Sequence, residues 1–308
     1  MSYQGALERP NTLEIWWHSL RPATLLTGFA PIFVGAFCGV MQLETTLSKL
    51  PLHLWARLGI AFLVVALLQS GANLVNDVKD FEKGVDVGKR LGPMRATQMG
   101  WLTPQGVKRA YRFCFGLALF AGSLLSLWVS ADLFFVGAAC LLAAYCYSGG
   151  PYPLAHYGLG EVLSLVFFGF VAVAGTARLL SDHWQLDALF YGLVPGLLAA
   201  SMMAVNNIRD RKGDSLAGKK TMAVFLGSKK ALVLTKSFIW LSYLVLLACA
   251  FLNGPLLLAA AICAALFLLI SQKVMPFLVE EPAKLNLALK KISLLNLFFG
   301  LIFFLYSL

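Results

Sequence analysis

The sequence predicts an all-α polytopic membrane protein with nine transmembrane helices. The chain is 59% hydrophobic, has a mean hydropathy of +0.76 and carries only 13% charged residues, whereas soluble domains carry about a quarter. Its apolar runs reach the roughly 20 residues that a membrane-spanning helix needs. They lack the alternation of a membrane β-barrel strand, and helices satisfy their own backbone hydrogen bonds in lipid. An ordinary soluble domain is therefore excluded.

Nine apolar runs define the expected helices. Mixed polar residues precede the first run without a cleavable signal peptide, and Trp16, Trp17 and His18 are typical of an interfacial belt. The whole chain, residues 1–308, is expected to form one integral-membrane domain. The expected helices cover residues 22–42, 56–76, 108–128, 132–148, 160–180, 186–207, 231–252, 255–273 and 288–307.

The basic residues predict the orientation of the chain. If the N-terminus and the loops after helices two, four, six and eight share one side, that side holds 22 of the 25 Lys and Arg residues, leaving only Lys49, Arg57 and Arg178 opposite. This asymmetry places the N-terminus in the cytoplasm and the C-terminus outside, in a bacterial-type inner or plasma membrane. The net charge of +10 lies in short loops, so it indicates topology and anionic ligands, with no nucleic acid partner.

Two acidic islands stand out against this apolar background. The first acidic island is residues 73–86 and the second is residues 206–214; together they hold six of the fifteen acidic residues, each at the end of an apolar run. Carboxylates near a bilayer are costly and usually functional. Clustered carboxylates repel unless a positive charge lies between them, and Mg²⁺ prefers carboxylate and phosphate oxygens. The islands therefore predict one diphosphate site, split between two cytoplasmic helix ends.

In the first acidic island, Asp77 and Asp80 are three residues apart, which places both carboxylates on one helix face. Asn73 and Asn76 precede them at matching spacing and can add neutral oxygen ligands. Asp86 follows Gly84, where the helix is expected to bend or end.

In the second acidic island, Asp210 and Asp214 are four residues apart, with Asn206 and Asn207 one turn earlier. The alternative for each island is a solvated, charge-balanced loop. The islands follow helices two and six, which suggests two similar halves at about 15–150 and 151–273, plus a ninth helix at about 288–307.

Basic residues follow both islands and are candidate ligands of phosphate or carboxylate groups, since a guanidinium matches both in a bidentate fork. Arg90 and Arg95 flank a Gly-Pro turn after the first island, and Lys219 follows the second. Arg21, at the start of the first helix, either reaches the same site or extends to the interface. Membrane topology alone is the competing explanation for these charges.

The segment of residues 145–161 contains four tyrosines and no Lys or Arg, which is unusual for a cytoplasmic loop of this chain. It is expected to fold inward, where Tyr145 and Tyr147 could stabilise a carbocation or line an aromatic substrate site. An interfacial belt is the alternative. Together with Mg²⁺-bound carboxylates, such a cavity suits a substrate with a diphosphate head and a hydrophobic tail.

At these motifs the chain resembles the UbiA-type intramembrane prenyltransferases, and in particular their 1,4-dihydroxy-2-naphthoate polyprenyltransferase branch. The resemblance rests on Asn73-x-x-Asn-Asp-x-x-Asp80 and on Asn206-Asn-x-x-Asp-x-x-x-Asp214. The stretches Arg90-Leu-Gly-Pro-Met-Arg95 and Gly158-Leu-Gly-Glu161 are similar to the naphthoate branch. Asp80 and Asp86 are six residues apart, wider than in many members of the superfamily, which makes Asp86 the weakest of the candidate metal ligands.

The resemblance implies nine helices around a central cavity, and two Mg²⁺ ions bridging a prenyl diphosphate. It implies transfer of the polyprenyl or phytyl chain to 1,4-dihydroxy-2-naphthoate with loss of diphosphate and CO₂, as in menaquinone or phylloquinone biosynthesis. By position, the metal would be held by Asp77, Asp80, Asp210 and Asp214, assisted by Asn73, Asn76 and Asn206. The diphosphate or the acceptor carboxylate would be contacted by Arg90, Arg95 and Lys219.

Three alternatives remain at this point. The same scaffold could prenylate another aromatic acceptor, such as 4-hydroxybenzoate or homogentisate. A CDP-alcohol phosphotransferase also uses aspartates and a divalent metal, but its Asp-Gly-x-x-Ala-Arg signature is absent from this sequence. A transporter could use the aspartates for ion coupling, although transporter sites tend to lie in broken helices at the midplane of the bilayer.

Overall fold

The computed structural model describes residues 10–84, 92, 95–252 and 274–308, and these residues form α-helices joined by short connections and 3₁₀ turns. The helices are labelled α1 to α10 in chain order. A π-helical segment, Val166–Val171, joins α6 and α7 into one continuous span. The bounds are α1 Thr12–Leu20, α2 Pro22–Gln42, α3 Leu52–Glu82, α4 Pro104–Trp128, α5 Asp132–Cys146, α6 Gly160–Leu165, α7 Ala172–Ser181, α8 Leu186–Leu216, α9 Met222–Leu252 and α10 Pro282–Tyr306.

The all-α membrane fold expected from the sequence is confirmed. Seven helices of the described residues are long and apolar enough to cross a membrane, and α5 is a shorter apolar helix. These elements correspond to eight of the nine expected helices, and the chain is a multi-pass membrane protein. The remaining expected helix, at residues 255–273, lies outside the described residues.

Helices α3 and α8 extend further than their apolar runs, and each is 31 residues long. The extensions carry residues 73–82 of the first acidic island and the whole second acidic island on helical backbone. Each helix ends just before a glycine in the left-handed region, Gly84 at φ 63° and Gly218 at φ 73°, where glycine has no Cβ to clash. The carboxylates of Asp77, Asp80, Asp210 and Asp214 are therefore carried on helices.

Helix α2 lies at the centre of the molecule and packs against α3, α7, α8 and α10. The largest apolar cluster joins α2, α7, α8, α9 and α10. Within it the ring of Phe37 makes edge contacts with Tyr191 and Phe303, at centroid distances of 5.5 and 4.9 Å. Close-packed aromatic pairs of this kind stabilise a core beyond their buried area.

The two ends of the helical bundle hold different parts of the chain. At one end the last residues of the chain meet the α2–α3 connection, where the Leu47 amide donates to the Ser307 carbonyl at 2.6 Å and Ser48 Oγ to the Leu308 carbonyl at 2.7 Å. Helix α3 starts at this end, and its C-terminal end, with the first acidic island, lies at the other. The C-terminus of the chain and the islands therefore lie at opposite ends of the bundle.

Candidate active site

A cavity of about 660 Å³ opens between α2, α3, α5, α7 and α8. Its polar end is formed by the two acidic islands and the residues around them. Its apolar part continues along α3 to Ala61, where Leu125, Leu133 and Leu179 also line it. The 19 residues from Ala61 to Asp80 rise by roughly 28 Å along a helix, so one cavity joins an ionic site to a long apolar channel.

One stripe of α3 faces the cavity. Gln69, Asn73, Asn76 and Asp80 all line it, at spacings that keep side chains on one face of a helix. Asn73 Nδ2 donates to the Leu20 carbonyl at 3.0 Å, as well as to a threonine of α2. The stripe is thereby tied to the corner between α1 and α2.

The expectation that Asp77 and Asp80 both face the site is wrong in this structure. Asp77 is 2% exposed and is not among the residues that line the cavity. Its carboxylate accepts a short hydrogen bond from Thr97 Oγ1. Three residues along a helix leave a rotation of roughly 60°, enough to turn Asp77 out of the stripe toward the turn that carries Arg95.

Arg95 binds the first acidic island as a fork. Its Nη1 donates to the Asn76 carbonyl at 2.7 Å, and its Nη2 donates to Asn76 Oδ1 at 2.8 Å. Nη2 also lies 2.7 Å from Asp80 Oδ2, with the side chains of both partners almost fully buried. A planar guanidinium can satisfy several acceptors at once, which an ammonium group cannot do in this geometry.

Lys219 brings the two islands together. Its Nζ lies 3.1 Å from Asp80 Oδ1 and 3.5 Å from Asp214 Oδ1. Gly218 ends α8 and turns the chain back, so that the Lys219 amide donates to the Asp214 carbonyl at 2.9 Å. Residues 139 positions apart in the sequence are thus joined through one cation at the polar end of the cavity.

Asp210 is held differently, by its own neighbour in the chain. Arg209 donates to both carboxylate oxygens, from Nε at 2.8 Å and from Nη2 at 2.7 Å, and its Nη1 donates to Asn286 Oδ1 at 2.9 Å. A Cβ added to Gly92 would lie 2.8 Å from Arg209 Nη2. Gly92 thus packs directly on the arginine of the second island.

The donor set suits a hard cation. Asp80, Asp210, Asp214, Asn76 and Asn206 line the polar end and offer carboxylate and amide oxygens, the ligands that Mg²⁺ takes. In the described part of the chain no three His, Cys, Asp or Glu side chains converge on one point, and Arg95, Lys219 and Arg209 occupy the carboxylates in ion pairs. The residue chemistry fits Mg²⁺ once these pairs are exchanged for metal and phosphate.

The tyrosines of residues 145–161 separate. Tyr147 lines the cavity, and its hydroxyl lies 2.8 Å from Met203 Sδ. Tyr145 does not line it and packs on Tyr111, at a centroid distance of 6.3 Å, in an apolar cluster between α3 and α4. Two residues at a helix end point in different directions, so the expectation that both tyrosines contact substrate is corrected for Tyr145.

Arg21 lines the cavity as expected. It occupies the left-handed region, at φ 53°, between α1 and α2. This conformation costs free energy in a residue that has a Cβ, and such strained residues are concentrated at functional sites. Asp86 and Arg90, also expected at the site, lie outside the described residues.

Further residues lie at the polar end without a ligand role predicted from the sequence. Arg209, Gln98 and Thr221 line the cavity, and Ser148 accepts from Asn76 Nδ2 at 2.9 Å. Gln98 and Thr221 belong to the short motifs Gln98-x-Gly100 and Gly218-Lys-x-Thr221, which are similar to the naphthoate branch. The position of Arg209 between Asn206 and Asp210 indicates a site role, whereas the contact of Ser148 depends on how a loop meets α3.

His156 lies beside this polar end, in the turn before α6. Its carbonyl accepts from the Lys220 amide at 2.8 Å. Partial burial and the positive charges of Lys219 and Lys83 together lower the pKa of its imidazole to about 4, against the opposing effect of Asp80. The imidazole is therefore neutral at physiological pH.

The chain is similar in sequence to several known prenyltransferases. The 1,4-dihydroxy-2-naphthoate octaprenyltransferase of Haemophilus influenzae is 30% identical over 305 residues, covering 94% of each chain. The protein of the same name from Escherichia coli is 36% identical over 226 residues, covering 71% of this chain and 70% of its own. The 2-carboxy-1,4-naphthoquinone phytyltransferase of Synechocystis is 27% identical over 227 residues, covering 71% of this chain and 68% of its own.

The fold is also that of solved structures. A UbiA homolog from Archaeoglobus fulgidus, described as bound to GPP and Mg²⁺, superposes with a TM-score of 0.67 at 16% identity, covering 94% of this chain and 99% of that one. The model of the UbiA prenyltransferase family matches residues 29–295. With its helical bundle, its two facing islands and this match over most of its length, the chain belongs to the UbiA prenyltransferase family.

Proposed function

We propose that this protein transfers a polyprenyl or phytyl chain from its diphosphate to 1,4-dihydroxy-2-naphthoate. The observation that carries the proposal is the cavity itself, in which an ionic end of aspartates, Arg95 and Lys219 is continuous with an apolar channel. This arrangement matches a substrate with a charged head and a hydrophobic tail. The names of the Haemophilus and Escherichia coli relatives support the naphthoate as acceptor.

At the ionic end, Arg95 and Lys219 would bind the diphosphate, and Arg21 lies at the cavity wall as a further cation for it. Asp80, Asp210 and Asp214 would hold Mg²⁺, with the Asn76 and Asn206 amides assisting. When bound, Mg²⁺ neutralises the charge that develops on the leaving diphosphate. The ion pairs described above would open as the substrate enters, so that the cations pass from carboxylate to phosphate oxygens.

At the apolar side, the walls of the channel would shield the reacting allylic carbon from water. A carbon–carbon bond forms between that carbon and the carboxylate-bearing carbon of the naphthoate ring, while the carbon–oxygen bond to diphosphate breaks. The carboxylate then leaves as CO₂. Tyr147 lines the cavity where the aromatic ring would lie, and its ring face can stabilise positive charge.

We also propose the orientation given by the basic residues, with the N-terminus and both islands in the cytoplasm. The opposed placement of the C-terminus and the islands supports it. The two halves inferred from the sequence, at about 15–150 and 151–273, remain a prediction, and so do site roles for Asp86 and Arg90.

The proposed reaction is tested by incubating the purified protein with one prenyl diphosphate and, in turn, 1,4-dihydroxy-2-naphthoate, 4-hydroxybenzoate and homogentisate. We expect a prenylated product with the naphthoate, released ¹⁴CO₂ when its carboxylate is labelled, and loss of turnover when EDTA removes Mg²⁺. No product with the naphthoate, or product only with another acceptor, would refute the assignment. Turnover undiminished by EDTA would refute the metal.

A further inference from the structure

Glu161 is a buried acid that the proposed reaction does not use. It lies in the first turn of α6, is 3% exposed and is not among the residues that line the cavity. Its Oε1 accepts a hydrogen bond from Asn207 Nδ2 at 2.9 Å. Its Oε2 has no hydrogen-bond partner among the described residues. Burying such a group is costly, and a group kept at that cost calls for a functional explanation.

Among the described residues, the hydrogen bond made by the side chain of Glu161 leads to the cavity wall. Asn207 lines the cavity, together with Met203 and Tyr147. A Cβ added to Gly160 would lie 3.2 Å from both Tyr147 Oη and Met203 Cγ. The start of α6 is therefore packed against this part of the wall, and Glu161 is held directly behind the Asn207 amide.

This contact fixes which atom of Asn207 can face the cavity. A carboxylate only accepts hydrogen bonds, so it selects the amide nitrogen of Asn207 and leaves the amide oxygen on the other side. Without Glu161 the amide could rotate and present either atom. With it, the wall beside Tyr147 offers a hydrogen-bond acceptor.

The depth of Asn207 indicates what it accepts from. Asp214 lies seven residues further along α8, roughly 10 Å closer to the end of the helix, and the ionic contacts gather there. Asn207 lines the cavity together with Met203 and Tyr147, about two helical turns from Asp214. An acceptor ring that attacks the carbon next to the diphosphate would lie on this side of the ionic contacts with Asp214.

We propose that Glu161 is a positioning residue that holds the Asn207 amide oxygen toward the cavity, where it accepts a hydrogen bond from a ring hydroxyl of the aromatic acceptor. The inference rests on the proposed function in that it assumes a hydroxylated aromatic acceptor. It assigns a role to the Gly158-Leu-Gly-Glu161 motif, whose glutamate acts through Asn207 rather than on the substrate.

The test is steady-state kinetics of the full-length protein in detergent, with variants Glu161→Ala, Glu161→Gln and Asn207→Leu. We expect Glu161→Ala and Asn207→Leu to raise KM for the acceptor about tenfold, the usual effect of one lost neutral hydrogen bond. KM for the prenyl diphosphate should change less than about twofold. Glu161→Gln offers both an acceptor oxygen and a donor nitrogen at the same reach, so it can hold the Asn207 amide in either orientation and should raise KM for the acceptor by less than Glu161→Ala.

Glu281→Ala serves as the matched control, because this acid is exposed and pairs only with Lys284 at 2.8 Å among the described contacts. It should leave both KM values unchanged. Thermal unfolding of each variant checks that it is folded. If Glu161→Ala does not fold, Asn207→Leu and Glu161→Gln still carry the comparison.

Three results would overturn the inference. Glu161→Gln as damaged as Glu161→Ala would mean that an acceptor oxygen at this reach does not hold the Asn207 amide, and equal rises in both KM values would mean a packing role. An unchanged KM for the acceptor in Asn207→Leu would mean that Asn207 does not hydrogen-bond to the acceptor.

The series is run with the naphthoate and with 4-hydroxybenzoate. A wild type that prenylates only the latter refutes the proposed acceptor, and the variants then test Glu161 on 4-hydroxybenzoate. A wild type that prenylates neither refutes both.

Discussion

Asp80 and Asp77 differ in surroundings although they are three residues apart on α3. Asp80 faces the cavity between Arg95 and Lys219, and Asp77 is buried against Thr97. We expect Asp80→Asn to lower kcat by about a hundredfold or more, since it removes charge at the reacting diphosphate. Asp77→Asn should cost about tenfold or less, acting through the turn that carries Arg95. Single-turnover rates of the two purified variants make the comparison, and a greater loss for Asp77→Asn would contradict the placement.

Arg95 is the residue whose chemistry is least replaceable. Its guanidinium contacts the Asn76 carbonyl, the Asn76 side chain and Asp80. Arg95→Lys keeps the charge but loses the fork. We expect about a tenfold or larger loss of kcat/KM for the prenyl diphosphate, measured at saturating acceptor. An unchanged kcat/KM in Arg95→Lys would mean that the positive charge of Arg95 is enough and that its bidentate geometry is not needed.

His156 should make stability depend on pH. Its pKa is lowered to about 4 by burial and by Lys219 and Lys83, whereas an unfolded histidine titrates near 6.5. The neutral imidazole thus stabilises the folded state above about pH 6.5, and this contribution is lost as pH falls toward 4. Thermal unfolding of wild type and His156→Gln from pH 7.5 to 4.5 should show the variant losing less stability. Parallel curves would contradict the assignment.

At the scale of single residues, the sequence predicted the residue types of the site better than the directions in which their side chains point. Asp80, Asp210, Asp214, Arg95 and Lys219 were all expected at the site and all line the cavity. Asp77 and Tyr145 were expected there too, and point elsewhere. Spacing along a helix places side chains within about 60° of each other on one face. This is too coarse to decide which of them points into the cavity and which points toward a neighbouring loop or helix.

At the scale of elements, close helix contact depends on glycine. Gly169, Gly192 and Gly196 bring the π-helical segment onto α8, where a Cβ on Gly192 would lie 2.7 Å from the Gly169 carbonyl oxygen. Backbone cannot move aside as a flexible side chain can. The tilt of α8, and so the position of its acidic island, depends on this contact.

Gly192→Ala should therefore destabilise the fold by about 1–3 kcal/mol, the usual cost of overpacking. Gly116→Ala in α4 is the matched control, because nothing lies within 4 Å of its added Cβ. There alanine should be neutral or stabilising by up to about 1 kcal/mol. Thermal unfolding midpoints in one detergent make the comparison, and equal midpoints for both variants would contradict the contact.

Apolar runs predicted where the helices lie, but not where they end. Helices α3 and α8 continue past their apolar residues to Glu82 and Leu216, and a left-handed glycine follows shortly after each end. The break at Gly227, with φ 75° and ψ 161°, divides α9 just before the expected helix at residues 231–252. A hydropathy pattern shows which part of a helix lies in lipid, whereas the hydrogen-bonded helix itself can continue beyond that part.

At the scale of the whole molecule, the orientation of the chain can be tested by labelling. We expect an impermeant maleimide to label Gln42→Cys in right-side-out vesicles and to label Ser215→Cys only after permeabilisation. Gln42 ends α2 near the C-terminus of the chain, and Ser215 ends α8 beside the second island; both are exposed. The unsubstituted protein controls for native cysteines. The reverse pattern would place the islands outside.

By itself the sequence determined the membrane environment, eight of the nine expected helices in the described ranges, and the residue types of a diphosphate site. These follow from hydropathy, charge and local spacing, which act between neighbours in the chain. Only the tertiary structure decided that Lys219 joins Asp80 to Asp214, that Asp77 faces Thr97, and that Glu161 lies behind Asn207. Three of these contacts, Asp77 with Thr97, Glu161 with Asn207 and Lys219 with Asp80, link residues 20, 46 and 139 positions apart. They depend on how far each helix is rotated about its axis and how closely the helices pack. Glycine contacts and helix ends determine this packing, and no local sequence pattern indicates it.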